Sequence, residues 1–174
     1  MRLPILPLVL QWKKMGLNQK NRQMSNTNYS TTLLLDQPPN KVFDAILDVR
    51  GWWSEEIEGA TNQLGGIFTY HYQNVHRCQM KLTELIPQKK IVWEVTDNYF
   101  NFTKDQNEWI GSKIGFEMTV RDHKTQVRFT HWGLIPDLEC FDICRNAWNQ
   151  YIQQSLSSLI LTGKGQPNKK NASH

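Results

Sequence analysis

The sequence predicts an α+β fold, in which a curved antiparallel sheet of six or seven strands wraps around one long C-terminal helix. Two patterns indicate it. From Leu64 onward, short stretches alternate between apolar and polar residues, as strands with one covered and one solvated face do. From Asp137 to Gly163, apolar residues recur at steps of three and four, which is typical of a helix with one apolar face. Such a helix needs a surface to cover, and the sheet provides it.

The long helix has recognisable ends. Asp137 is placed to accept the first free backbone N–H groups, and Gly163 is placed for the left-handed residue that ends many helices. At 1.5 Å per residue, about 24 residues span roughly 36 Å, which is enough to cross a small domain. The apolar face consists of Phe141, Cys144, Trp148, Tyr151, Ile152, Ser155 and Leu159.

Before the long helix, the chain order predicts one strand, one short helix and five further strands. The first strand is Tyr29–Leu35, and the short helix begins at the prolines of DQPPN and ends at Gly51. Segment 97–111 has weak periodicity, and we expect a loop or an extension over an open end of the sheet. Alternation predicts these inward-facing residues: Phe68, Tyr70, Tyr72, Cys78, Met80, Leu82, Ile91, Trp93, Val95, Ile114, Phe116, Met118, Val120, Val127, Phe129 and His131.

A length of 174 residues predicts a single domain, which we place at residues 25–163. We expect residues 1–24 to be a disordered leader or the result of a mis-assigned start, with Met24 as the natural first residue. Their apolar stretch LPILPLVL is too short to span a bilayer and lacks the cleavage site of a signal peptide. We expect residues 164–174 to be a disordered basic tail. We therefore predict a cytoplasmic protein that has no membrane-spanning segment.

The charge distribution argues against binding to nucleic acid. The net charge is +4, but residues 1–24 carry +5 and residues 163–174 carry +3, which leaves −4 for the residues between them. Proteins that bind nucleic acid usually present a basic face on the folded domain. Here the excess of basic residues lies in the expected tails, so we predict no nucleic-acid partner.

The three cysteines are an odd number and include no CxxC spacing. Cys140 and Cys144 are one helical turn apart on the long helix. We interpret them as small apolar core residues in a reducing compartment, with a thiol pair or half of a metal site as the alternative. No partner cluster such as HxxxH accompanies them, so the sequence predicts neither a metal nor another cofactor.

Several stretches carry a family resemblance: PPNKVFDAI, GWWSEEIEG, GGIFTY, ELIPQKKIVWEV, FTHWGL and the ending CRNAWNQYIQQSLSSLILTGKGQP. Over roughly Asn28 to Pro167, the chain resembles the SRPBCC or START-like superfamily, which is also called the helix-grip or Bet v-like fold. Within that superfamily it is similar to the AHSA-like branch, which is named for the activator of the heat-shock-protein-90 ATPase.

The resemblance implies a hydrophobic cavity between the sheet and the long helix. Members of the superfamily bind lipids, sterols, polyketides or hormones, a few catalyse cyclisation or hydrolysis, and the activator branch assists a chaperone. Family membership therefore does not imply one function. The chain departs from full-length chaperone activators, because residues 1–23 are too short to form the separate N-terminal domain of those proteins.

The cavity is the expected ligand site, because small molecules usually bind in concave and mostly apolar pockets. Packing in a solid core is the alternative for each aromatic residue. The candidate lining residues are Trp52, Trp53, Phe68, Tyr70, Tyr72, Trp93, Phe116, His131, Cys144 and Trp148.

His131 is the candidate catalytic residue, because alternation places it on the apolar face of its strand. It could orient a ligand carbonyl or act as a general base, with Tyr70 or Tyr72 as its partner. The alternative is a structural histidine that is satisfied by a backbone carbonyl or a tyrosine hydroxyl. No nucleophile elbow, phosphate-binding glycine loop or metal motif is present.

Three functional hypotheses follow. The first is a non-enzymatic protein that binds a hydrophobic small molecule between the sheet and the helix. The second is a cavity enzyme of the cyclase or hydrolase type that uses His131. The third is a co-chaperone-like interaction module of the stress response. A homodimer is compatible with all three.

Overall fold

The computed structural model describes residues 27–170. It contains a seven-stranded antiparallel sheet in the order β1-β7-β6-β5-β4-β3-β2. The strands are β1 Tyr29–Leu35, β2 Ile57–Gly59, β3 Ile67–Tyr72, β4 His76–Ile86, β5 Lys90–Phe100, β6 Lys113–Arg121 and β7 Lys124–Trp132. Strands β2 to β7 pair in chain order, and β1 joins the far edge of β7. The predicted antiparallel meander is confirmed.

Four helices complete the fold. The first two are α1 Pro39–Leu47 and α2 Val49–Trp52, which follow β1. The long C-terminal helix consists of α3 Phe141–Asn149, a π-helical segment Gln150–Leu156 and α4 Ser157–Thr162. The sequence predicted one short helix up to Gly51, whereas the chain breaks it at Asp48, where the backbone leaves the helical conformation.

The observed strands differ from the predicted ones in two respects. β2 was not predicted, because three residues are too few to show alternation and only Ile57 is buried among them. β5 continues to Phe100, into a segment that was expected to be a loop or an extension over an open end of the sheet. Its last part pairs with β4 after a bulge between Gln79 and Met80, and a bulge disturbs the period of two that sequence patterns depend on.

The inward-facing residues predicted by alternation are buried, with two exceptions. Tyr72 is the last residue of β3 and Val120 lies one position before the end of β6, so both exceptions lie at strand ends. The core lies between the sheet and the helices, and it includes Ile46 of α1 and Trp52 of α2. Within residues 27–170, no helix is long and apolar enough to span a membrane.

The long helix begins at Phe141, not at Asp137 as predicted. A side chain from a distant loop binds the chain just before the helix: the Glu108 carboxylate accepts the backbone N–H groups of Glu139 (2.7 Å) and Cys140 (3.0 Å). The helix end was predicted correctly, because Gly163 has φ of +81° and its N–H bonds to the carbonyl of Leu159.

The buried apolar residues of the long helix follow one another at steps of four: Cys144, Trp148, Ile152, Leu156 and Ile160. In a regular α-helix, four residues turn about 400°, so such a row drifts by about 40° at each step. A π-helical turn contains more residues than an α-helical turn, so it rotates the row back. The π-helical segment therefore keeps one line of side chains on the sheet along the whole helix.

Residues 164–170, which we call the C-terminal strap, lie against the domain. The strap backbone bonds to the chain after α2 through Asn168 N to Trp53 O (2.9 Å) and Glu55 N to Asn168 O (2.9 Å). The Lys169 ammonium lies 3.1 Å from the Glu55 carboxylate. This part of the expected disordered tail is thus ordered by backbone pairing. The expected leader, residues 1–24, lies outside the described residues.

We predict that Ser155→Ala destabilises the protein by about 2 kcal/mol. The buried Ser155 hydroxyl donates to Trp52 O (2.6 Å) and accepts from Gln166 N (2.7 Å), so it joins the helix to α2 and to the strap. The substitution leaves a carbonyl and an N–H without a partner, and each unsatisfied buried group costs about 1–3 kcal/mol. Urea unfolding measures the difference.

The matched control for this prediction is Ser157→Ala, at a half-buried position of the same helix. We expect the control to change the free energy of unfolding by less than about 0.5 kcal/mol, as surface substitutions usually do. Equal stability of the two variants would contradict the assigned role of Ser155.

Candidate functional site

A cavity of about 120 Å³ lies between the sheet and the first half of the long helix. An engineered apolar cavity of roughly 150 Å³ binds benzene, so this space suits a single aromatic ring. Among the described residues, no lysine, arginine or carboxylate contributes to the wall. The lining residues are Trp53, Tyr70, Tyr72, Val75, His76, Phe100, Phe102, Trp109, Ile143, Cys144, Ala147, Trp148 and Tyr151.

The structure separates the ten predicted site residues into two groups. Five line the cavity: Trp53, Tyr70, Tyr72, Cys144 and Trp148. The other five are buried in the solid core: Trp52, Phe68, Trp93, Phe116 and His131. The rings of Trp53 and Trp148 lie 5.0 Å apart between the two groups, and they form the partition between cavity and core.

Residues 101–112, which we call the covering loop, close the cavity at the end where the long helix begins. The Trp109 ring stacks on Trp148, with centroids 5.9 Å apart and an interplanar angle of 11°. Besides Glu108, which binds the start of the helix, the Lys104 backbone N–H contacts the Glu139 carboxylate. The covering loop and the chain just before the helix are therefore joined by hydrogen bonds in both directions. The loop also supplies two aromatic residues to the cavity wall.

His131 belongs to a closed hydrogen-bond chain. Its Nδ1 accepts from the Trp148 indole N–H (3.1 Å), so in the neutral ring Nε2 carries the proton. That proton is donated to Ser112 Oγ (2.9 Å), whose hydroxyl donates to the Trp109 carbonyl (2.6 Å). Burial, and then the neighbouring His76, lower the pKa of His131 to about 3.

The observed hydrogen-bond partners of His131 differ from those that were expected. They are an indole and a serine, not Tyr70, Tyr72 or a backbone carbonyl. The ring is fully buried and does not line the cavity, and both of its nitrogens are engaged. His131 therefore has no lone pair or proton to offer a ligand in this arrangement. Its bonds instead tie the helix, β7 and the covering loop together.

His76 is a polar cavity residue that sequence reasoning missed. Its Nε2 lies 2.8 Å from Asn98 Oδ1, and burial lowers the pKa of the imidazole to about 4, so the ring is neutral at pH 7. The ring packs between Phe100 and Trp109, with centroid distances of 4.4 and 4.7 Å. A signal was present, because His76 is in phase with the inward-facing Cys78 and the residues after it.

A second polar group on the cavity wall joins three elements. The hydroxyls of Tyr70 and Tyr151 lie 3.5 Å apart, and the Asn168 side-chain amide donates to both, at 3.2 and 2.8 Å. Burial raises the pKa of Tyr70, which keeps its hydroxyl protonated. Asn168 was missed because it lies in the strap, which was expected to be disordered.

Cys144 lines the cavity next to Cys140, which is buried beside it. The hydrogen bond with Cys140 and then burial raise the pKa of Cys144 far above its usual range. A thiol that keeps its proton is neither a nucleophile nor a good metal ligand. In the described part of the chain, no group of three or more histidine, cysteine or acidic side chains could hold a metal ion.

We predict that stability falls by about 2 kcal/mol between pH 6 and pH 5 because of His76 and His131. In the unfolded chain both rings bind protons below about pH 6.5, whereas the folded rings stay neutral down to about pH 4 and about pH 3. Over this window the unfolded state binds more protons, so acid favours unfolding. Urea unfolding at a series of pH values measures the slope.

Variants separate the histidines from the carboxylates, which titrate in the same range. His76→Phe should remove about half of the histidine contribution to the slope. His71→Phe, on the opposite face of β3 from Tyr70, should retain all of it. A parent protein and a His76→Phe variant with the same slope would disprove the prediction.

Comparisons with known proteins agree with this architecture. The family model described as "Activator of Hsp90 ATPase homolog 1-like protein" matches residues 36–160. A search of curated proteins finds none that matches the chain. Because the family model covers well over half of the sequence, it tests the resemblance that the motifs suggested.

Several solved structures share the fold. The Aha1 dimer from Colwellia psychrerythraea has a TM-score of 0.64 and 24% sequence identity, over 80% of this chain and 99% of that one. Protein MLL2253 from Mesorhizobium loti has a TM-score of 0.60 and 14% identity, over 79% and 100% of the two chains. CalU16 from Micromonospora echinospora has a TM-score of 0.56 and 13% identity, over 80% and 76%.

At sequence identities this low, the structural similarity shows a common fold, but it does not identify the ligand or the partner. Together with the match over residues 36–160, the seven-stranded sheet and its long C-terminal helix show that the chain belongs to the family of Activator of Hsp90 ATPase homolog 1-like proteins.

Proposed function

We propose that this domain binds a small hydrophobic molecule in the cavity between the sheet and the long helix. The observation that carries the proposal is a partly open cavity of about 120 Å³ whose wall consists almost entirely of aromatic and aliphatic side chains. Burial of apolar ligand surface contributes about 25 cal/mol per Å², so such a wall favours apolar ligands. Trp53 and Trp148 would contact one face of the ligand, and the covering loop would shield it from water.

A cavity enzyme that uses His131 or Cys144 is not favoured by the geometry of these two residues. His131 was the candidate base, and its two ring nitrogens are occupied by Trp148 and Ser112. Cys144 is held as a thiol beside Cys140. General-base or nucleophilic chemistry needs an available lone pair near the substrate. Ligand binding without turnover requires no such group, so it remains the simpler assignment.

The first experiment is native mass spectrometry of protein that is purified gently from its own host, before and after organic extraction. We expect a discrete additional mass that extraction removes. The extracted protein should then bind p-xylene, measured by NMR titration, because one aromatic ring matches the volume of the cavity. Failure of extracted protein to bind p-xylene or any recovered ligand would overturn the proposal.

We predict that Ala147→Phe weakens p-xylene binding at least tenfold. Ala147 lies on the cavity wall, and a phenyl group there would occupy the space that the ligand needs. The matched control is Asn146→Phe, because Asn146 is exposed on the same helix turn. The control should bind p-xylene like the parent, and equal affinities of all three proteins would place the ligand elsewhere.

We also propose a chaperone interaction as the second candidate function. Its support is the family description, which refers to activation of the Hsp90 ATPase, and the likeness to a protein named Aha1. That neighbour was solved as a dimer, so self-association of this chain belongs to the same proposal. Stimulation of a purified Hsp90-type ATPase and sedimentation of the isolated protein test the two parts. An unchanged ATPase rate would remove the chaperone role, and a monomer at all concentrations would remove the dimer.

A further inference from the structure

His76 presents a fixed hydrogen-bond acceptor to the cavity. The Asn98 side-chain amide donates through Nδ2 to the Gln106 carbonyl (3.1 Å), which fixes its oxygen toward His76. Because an amide oxygen only accepts, the proton of the neutral imidazole must lie on Nε2. The other ring nitrogen, Nδ1, is therefore an unprotonated acceptor. Asn98 thus fixes the Nε2–H tautomer of His76 by accepting its proton. Trp148 fixes the same tautomer of His131 by donating to Nδ1.

The Nδ1 atom of His76 has no hydrogen-bond donor among residues 27–170. The side chain is more than nine-tenths buried and belongs to the cavity wall. Buried polar groups are nearly always paired with protein or with ordered water. His131 is fully buried and has both nitrogens satisfied within the protein. The Nδ1 atom of His76 is not among the fully buried atoms that lack a partner in the described residues, so it keeps accessible surface, and a donor on a molecule in the cavity can reach it.

The hydroxyls of Tyr70 and Tyr151, together with Asn168, restrict further which kind of donor group the ligand can carry. Asn168 donates to both hydroxyls, and the tyrosines share one hydrogen bond at most, so one of their two hydroxyl protons has no acceptor among the described residues. The Tyr70 and His76 rings lie 5.2 Å apart. A hydroxyl group can donate to the imidazole and accept from a tyrosine. A carboxylate cannot donate, and a charged group would lie in an apolar wall without a counter-ion.

We propose that the ligand of this cavity is a neutral alcohol or phenol on an apolar body, whose O–H donates to Nδ1 of His76. The proposal rests on the proposed function, because it requires a ligand in the cavity. It assigns His76 the role of the specificity-determining residue. The aromatic walls bind the apolar body of the ligand, and His76 selects molecules that carry a hydroxyl.

The test compares p-cresol with p-xylene, which have nearly the same shape and differ by a hydroxyl in place of a methyl group. Both are titrated by NMR against the parent, His76→Phe and the matched control His71→Phe. We expect the ratio of p-cresol to p-xylene affinity to fall about fivefold in His76→Phe, which is the value of one hydrogen bond, and to stay unchanged in His71→Phe. In the parent, the Nδ1 resonance of His76 should move with p-cresol and stay in place with p-xylene.

The outcomes are distinguishable. If both probes bind, the affinity ratio is the same in all three proteins and the Nδ1 resonance does not respond, the inference is overturned while the proposed function stands. If neither probe binds to the parent, the proposed function fails and the inference fails with it. If His76→Phe does not fold, the Nδ1 resonance of the parent decides alone: a shift with p-cresol supports the inference, and no shift overturns it.

Discussion

The hydrogen bond from the Trp148 indole to His131 is the interaction on which the rest of this structure depends. It joins the long helix to β7 and, through Ser112, to the covering loop. Because an indole donates along one direction only, the bond fixes the rotation of the helix on the sheet. The same rotation turns the Trp148 ring toward Trp53 and Trp109. One side of that ring faces the solid core, and the other faces the cavity.

Two further features maintain this arrangement along the helix. The π-helical segment keeps the buried row aligned from Cys144 to Ile160, so both ends of the helix contact the sheet. Ser155 then binds α2 and the C-terminal strap, and Asn168 of the strap reaches the two tyrosines on the cavity wall. The covering loop therefore bounds the cavity near the start of the helix, and the strap holds two residues of its wall, Tyr70 and Tyr151, through Asn168. Both the loop and the strap are held by hydrogen bonds to the helix or to the chain beside it.

The fold could be predicted from the sequence because burial imposes a period. Alternation identified almost every inward-facing strand residue, and steps of three and four identified the helix face. Periodicity tells which face of an element is covered, but it does not tell where packing leaves a space. Trp93 and Tyr70 both face inward by alternation, yet only Tyr70 borders the cavity. Trp109 and Asn168 lie in segments without a period, and their positions depend on contacts with residues far away in the chain.

Burial also decides what kind of site this is. His76 and His131 are kept neutral, and Tyr70 keeps its proton, because the apolar surroundings penalise every charged form. Cys144 keeps its proton because of the hydrogen bond with Cys140 and then because of burial. A wall of neutral groups can donate and accept hydrogen bonds without attracting ions. It discriminates ligands by shape and by the position of a single polar atom, because an unmatched polar group in such a wall is costly. The same low polarity that makes proton transfer unfavourable here makes hydrogen-bond recognition selective. In the proposed site, the unpaired Nδ1 of His76 would distinguish between otherwise equal apolar ligands, whereas both nitrogens of His131 are paired within the protein.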